Sequence, residues 1–326
     1  MLSGMRTGLP LVAAGLLALG CGSSSREEPS GTGGAAGAAG ASGQLDPSSW
    51  DCTALASPPA RKTKVPPSCA TDRACKERLV CGHRSAGGEL GVLAPENTLS
   101  AVRAAVAVGA DFIETDPRPT KDGVLVNLHD PELDRTTNGT GNAADLTVAE
   151  IQAFAIDSTE HAGDYGCDRV PTLEEVLSLA KGRIHVLLDA NKTNRVDLLV
   201  KAVHDTDTLD WAIFDTDDTA KIQEALALEP KLHTMIRVSD AAEIDTELAL
   251  FSGHPPVIVE IHDGADPKAL APKLHAAGHR AFMNVFGVDL AAKFSNDPAA
   301  YAPVFENGVD IAQTDRPELV AKFLGR

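Results

Sequence analysis

A (β/α)8 TIM-type barrel with a short Cys-containing N-terminal extension is the fold this chain predicts, and three observations carry the prediction. From Leu79 onward, short apolar runs alternate with helix-period segments, the pattern of a parallel α/β fold. Eight runs read as strands: Leu79–His83, Ala110–Asp116, Ile184–Asp189, Trp211–Phe214, His233–Val238, Val257–Ile261, Arg280–Val285 and Val309–Thr314. Eight strands over about 250 residues suit a barrel of this type. Finally, His83, Glu114, Asp116 and Asp189 fall at the C-terminal ends of their runs, the face where such barrels collect their chemistry.

The N-terminal 78 residues are organised differently. Met1 to Gly20 carries one Arg and then the apolar run Leu9–Leu19, too short for a comfortable membrane span and suited to a secretory signal. Leu17-Ala18-Leu19-Gly20-Cys21 resembles a bacterial lipobox, which implies lipidation of Cys21, a membrane anchor at the N-terminus, and export to the cell envelope as an outer-membrane or periplasmic lipoprotein. Residues 22–48, rich in Gly, Ala and Ser, read as a tether that buries too little apolar surface to order itself. Residues 49–78 form the extension and 79–326 the barrel. No later segment approaches the ~20 apolar residues a spanning helix needs.

In an exported chain, Cys52, Cys69, Cys75, Cys81 and Cys167 predict disulfides. Their odd number leaves one thiol free. Cys81, on the first strand, is the expected buried one; the other four form two bridges of open pairing. The absence of a Cys-x-x-Cys pair argues against zinc. With 46 acidic against 29 basic residues, a net charge of −17 excludes the usual nucleic-acid binder and disfavours a polybasic membrane face.

Within the barrel, Val124–Leu128 follows the Lys121-Asp122-Gly123 turn too closely for a parallel crossover and reads as a hairpin arm delivering His129. The first helix opens at Asn97 or Thr98, with Leu99, Val102 and Val106 at core spacing. Asp130 to Asp168 is a loop-and-helix excursion. Glu114 and Asp116 stand two apart on a strand, so both carboxylates share one face and repel unless a cation or proton intervenes. Imidazoles, an arginine and paired carboxylates at strand ends point to metal-assisted phosphate chemistry, with hard oxygen ligands suited to one Ca²⁺ or Mg²⁺.

The ordered pieces His83-Arg84, Pro95-Glu96-Asn97-Thr98, Gly109-Ala110-Asp111-Phe112-Ile113-Glu114-Thr115-Asp116, Thr120-Lys121-Asp122-Gly123 and His129-Asp130 resemble the glycerophosphodiester phosphodiesterase family. Leu133 to Thr137, Val170 to Leu177 and Gly308 to Pro317 extend the resemblance to about Leu324. It implies hydrolysis of a small glycerophosphodiester or lysolipid to glycerol 3-phosphate and an alcohol. His83 and His129 would be the acid–base pair, Glu114, Asp116 and Asp189 the metal ligands, and Arg84 and Lys192 the phosphate holders. Glu96 either touches the site or ties its own loop. Glu260 and His262, alternating onto one face at a strand end, line the pocket or pack, and His262-Asp263 resembles a catalytic dyad. Arg135 and Asp315 are expected to brace loops.

The departures are specific. Ser85 follows Arg84 where the family has Gly, and Ala86 to Leu93 is an insertion before Pro95. Asp189-Ala190-Asn191-Lys192 replaces a Glu-x-Lys, which leaves Asn191 an alternative ligand. Asn284-Val285-Phe286-Gly287 stands where an aromatic-Thr-Val-Asn run is common. The rival readings are a sphingomyelinase-D-like phospholipase on the same barrel and a non-catalytic binder of lipid head groups.

Overall fold

The computed structural model describes residues 45–56 and 58–326. The signal segment, Cys21 and the tether up to residue 44 lie outside the described residues. The last residues of the expected tether belong to a 3-10 turn, Pro47–Ser49, capped by the Asp46 carboxylate. Among the described residues, no helix is long and apolar enough to cross a membrane.

All eight expected runs become barrel strands: β1 (Leu79–Gly82), β2 (Phe112–Thr115), β5 (His185–Asp189), β6 (Ala212–Asp215), β7 (His233–Val238), β8 (Ile258–Ile261), β9 (Ala281–Asn284) and β10 (Ile311–Thr314). They close in the order β1-β10-β9-β8-β7-β6-β5-β2, every pairing parallel. The short arms β3 (Pro117–Pro119) and β4 (Leu125–Asn127) pair antiparallel outside the barrel and lead directly to His129. The first helix, Leu99–Val108, is capped by Thr98, whose hydroxyl accepts from the Ala101 N–H. It ends at Gly109, whose φ of 92° is a conformation few other residues adopt at low cost. Glu175 reaches back to the Thr172 N–H and completes a capping box.

Alternation along the strands sorts the interior into two layers. Phe112, Leu187, Ile213, Met235, Ile258, Phe282 and Ile311 fill the barrel together with Leu79 and Cys81. Their neighbours, among them Ile113, Val186, Phe214, Val238 and Val259, face the surrounding helices. Two residues beyond the last filling residue of each strand, the next inward position is polar. That position forms the rim of the mouth.

The extension closes the structure at two places. Cys69 and Ala70 pack among the barrel-filling side chains; Arg280, fully buried, donates to the Cys69 and Glu77 carbonyls and holds them there. Farther up, Trp50 is buried, its indole N–H donating to the Leu93 carbonyl at 3.0 Å and to the Tyr165 hydroxyl at 3.2 Å. The disulfides are Cys52–Cys167 and Cys69–Cys75, and Cys81 is the buried free thiol. Cys52–Cys167 therefore ties the Trp50 segment to the excursion and to the 86–93 insertion.

Replacing Cys52 and Cys167 together with Ser lowers stability by about 2–5 kcal/mol, the range for loss of a native bridge. Urea unfolding followed by tryptophan fluorescence measures it, and a red shift before the main transition reports early release of Trp50.

Candidate active site

The mouth sits at the C-terminal ends of the strands. His83 follows β1, Glu114 lies on β2, Asp189 ends β5, Asp215 ends β6, Arg237 is on β7, Glu260 on β8, Asn284 on β9 and Gln313 on β10. All eight line one cavity of about 130 Å³, joined by Asp116, His129, Lys192, His262 and Asp263.

Glu114, Asp116 and Asp189 are all buried, and each offers an oxygen within 4.8 Å of the others. Each is oriented by one donor: the Arg84 N–H to Glu114 (2.9 Å), the Asn97 side-chain amide to Asp116 (2.7 Å), and the Asn191 N–H to Asp189 (2.9 Å). The remaining lone pairs converge. Burial, reinforced by the charges of Asp116 and Asp189, pushes the Glu114 carboxyl well above the ordinary range. Lys192 offsets part of this, its Nζ 3.7 Å from both Asp116 and Asp189. Three crowded hard oxygens fit a divalent cation, which would relieve the same repulsion.

Both imidazoles are held by the same device. His83 Nδ1 lies 2.7 Å from Asp315 Oδ1, leaving Nε2 on the side of Glu114 at 3.9 Å. His129 Nδ1 lies 2.8 Å from Asp130 Oδ1, and its Nε2 is 3.5 Å from Lys192 Nζ. A carboxylate on Nδ1 fixes the ring and keeps Nε2 available for proton transfer. The Asp315 carboxylate also accepts the Gly88 and Leu90 N–H groups. Burial would raise its pKa, yet these bonds and His83 hold it low. Asp130 is likewise held at about 2 against its partial burial, by hydrogen bonds from Arg135 and His129.

Sequence reasoning placed Arg84 on the phosphate. Arg84 follows His83 directly; its guanidinium is buried against Glu96 (3.1 Å) and its N–H bonds Glu114, with left-handed backbone at Arg84 (φ 47°) and Ser85 (φ 79°) turning the chain there. Glu96 also accepts two bonds from Arg135, at 2.7 and 2.9 Å, so it ties loops together and does not line the mouth. Asn191 is not the alternative ligand: its side-chain oxygen accepts from the Thr216 hydroxyl and the Asp217 N–H. Glu260 and His262 do line the mouth. The His262-Asp263 dyad does not form, because His262 Nδ1 lies 3.4 Å from the Asp263 carbonyl and not its carboxylate.

Asp215 and Arg237 escaped sequence reasoning, although both stand two residues after a barrel-filling residue (Ile213, Met235). Arg237 hydrogen-bonds Asp215 at 2.9 and 3.2 Å and forms an ion pair with Glu260 at 3.0 Å. Burial drives these carboxyls up, Asp215 to about 6 and Glu260 to about 8, with Arg237 opposing the rise.

The model of the Glycerophosphoryl diester phosphodiesterase family matches residues 83–319. A glycerophosphodiester phosphodiesterase of Caldanaerobacter subterraneus is 43% identical over 102 residues, 31% of this chain and 40% of that one. The chain spans no more than 43% of the length of the first such curated relatives. The crystal structure of a glycerophosphoryl diester phosphodiesterase from Parabacteroides distasonis superposes with a TM-score of 0.66 at 25% identity, covering 79% of this chain and 90% of that one. An Oleispira antarctica phosphodiesterase, in complex with the product sn-glycerol-3-phosphate, shares the fold at a TM-score of 0.63 and 20% identity over 78% of this chain and 100% of that one.

Burial and its acid neighbours favour the protonated Glu114 carboxyl whereas a cation takes the carboxylate, so protonation and cation binding compete at Glu114. Affinity for Mg²⁺ or Ca²⁺ therefore rises with pH up to the Glu114 pKa and levels off above it. Calorimetry in two buffers of different ionisation enthalpy detects the released proton; Glu114→Gln abolishes that release. Affinity independent of pH counts against the trio as the cation site.

Proposed function

We propose a function from one premise: the chain belongs to the glycerophosphoryl diester phosphodiesterase family. It hydrolyses glycerophosphodiesters to glycerol 3-phosphate and an alcohol, with one divalent cation, Ca²⁺ or Mg²⁺, held by Glu114, Asp116 and Asp189. The observation that carries this reading is the acid trio flanked by two imidazoles, each with Nδ1 on a carboxylate. The product bound by the Oleispira fold neighbour is the one assigned here.

The chemistry follows from the charge on the substrate. A phosphodiester anion repels an incoming oxygen nucleophile, and the cation supplies charge neutralisation at the non-bridging oxygens. Lys192 adds a positive charge beside the trio. One imidazole takes the proton of the attacking hydroxyl at Nε2; the other, protonated, gives its proton to the alcohol oxygen as that P–O bond breaks. Asp315 and Asp130 stabilise the imidazolium formed at each ring and keep the two nitrogens aimed. By family resemblance the attacker is either the substrate's own glycerol hydroxyl, which expels the alcohol and gives a cyclic phosphate that water then opens to glycerol 3-phosphate, or water directly.

We further propose that the chain is an exported lipoprotein anchored through Cys21. The two disulfides support an oxidising compartment.

EDTA abolishes turnover of glycerophosphodiesters and Mg²⁺ or Ca²⁺ restores it. His83→Ala and His129→Ala each lower kcat by about 10²–10⁴-fold with cation binding retained. Phosphorus NMR of the product identifies glycerol 3-phosphate; undiminished turnover in EDTA removes the cation from the reading. Cys21→Ala moves the protein from the membrane fraction to the soluble one, checked by detergent phase partition.

A further inference from the structure

The helix Phe286–Ser295, which follows β9, turns its polar group inward and its apolar groups outward. Asp289 faces in, fully buried, and accepts from the Tyr301 and Thr314 hydroxyls; Ala292 is buried with it. Phe286, Leu290 and Phe294 face out, 39%, 50% and 87% exposed. Their spacing of four sets them on one stripe, about 12 Å long at 1.5 Å per residue. Among the exposed positions of the helix the one charge is Lys293. The bonds of Asp289 account for the inward polarity. Nothing in the fold accounts for two phenylalanines left in water, in a chain that has nine. The stripe also begins at the mouth, since Asn284 lines the mouth and its side-chain oxygen accepts from the Phe286 N–H at 3.1 Å.

We propose that this stripe is the protein's contact with a lipid bilayer, entering the boundary between head groups and acyl chains and setting the mouth at the membrane surface. The inference goes beyond the phosphodiesterase reading and draws on the proposed Cys21 anchor only for nearness to a membrane. Residues 22–44 separate that anchor from Leu45, the first described residue, and reach at most about 80 Å at 3.3–3.6 Å per residue. Such a length lets a membrane meet any wall of the barrel, so the apolar stripe selects which wall it is. A narrow apolar face flanked by a lysine is what an interfacial helix presents to lipid, with the lysine stem along the apolar surface and the ammonium among the phosphates. A second copy of the chain is the weaker occupant. At 150–250 Å² for a whole aromatic side chain, the stripe offers roughly 300–400 Å², about half of the ~800 Å² that a stable interface takes from each partner. A net charge of −17 gives no long-range pull toward anionic lipid, so the contact is apolar and survives salt.

The test is fluorescence quenching in the full chain, reconstituted into phosphatidylcholine–phosphatidylethanolamine vesicles with brominated acyl chains. Phe294→Trp is the reporter. Leu228→Trp is the control: Leu228 is 49% exposed and ends the helix after β6, three strands round the barrel from β9. Emission of the unsubstituted chain, from Trp50 and Trp211, is subtracted. Thermal melts check that both variants fold, and Leu290→Trp replaces a reporter that does not. The reporter's emission is expected to move to the blue on vesicles and to be quenched severalfold more strongly than the control, at low and at high salt. Quenching no stronger at position 294 than at 228 overturns the proposal, as does quenching that salt abolishes. A blue shift without vesicles that grows with protein concentration assigns the stripe to a second copy and overturns it too. A chain recovered free of lipid refutes the Cys21 anchor; mixed with the same vesicles, it is judged by the same comparison.

Discussion

Three carboxylates forced into mutual contact at the end of a sealed barrel is the constraint around which the mouth is arranged. Glu114, Asp116 and Asp189 lie within 4.8 Å of one another and are all buried, so water cannot screen their repulsion. The ion-free protein tolerates this through a raised Glu114, a nearby Lys192 and one oriented hydrogen bond to each acid. Those bonds come from a loop backbone, from Asn97 and from a strand-end turn, so the parts that hold the acids are separate pieces of chain. A divalent ion is the one partner that satisfies all three together.

The two imidazoles are held by a second set of contacts. Asp289, fully buried, accepts from the Tyr301 and Thr314 hydroxyls and from the Asp315 N–H. Asp315 then holds His83. On the other side, Arg135 bonds Asp130 and Glu96, and Asp130 holds His129. Neither imidazole is therefore a free rotor. Each ends a chain of charge-assisted bonds rooted in the scaffold.

The extension serves the same end mechanically. One limb seals the bottom of the barrel through Cys69 and Ala70. The other, through Trp50 and the Cys52–Cys167 bridge, fixes the insertion that supplies Gly88 and Leu90 to Asp315. A disulfide far from the acids thus bears on the orientation of a histidine beside them.

The sequence by itself determined the barrel and singled out the two histidines and three acids that the structure gathers at its mouth. Strand alternation is a local rule, so a carboxylate or imidazole two places beyond a barrel-filling residue can be read from the chain alone. The same rule reaches Asp215 and Arg237, but the apolar run Trp211–Phe214 stops one residue short of Asp215, and Arg237 stands inside its strand, not at the end. Tertiary structure alone decided the partners. His83 and Asp315 are 232 residues apart, Cys52 and Cys167 115 apart, and Arg84 faces Glu96 through a left-handed turn that nothing in its own side chain announces. Such pairings depend on how strands close in space, a property of the whole chain and not of any window within it.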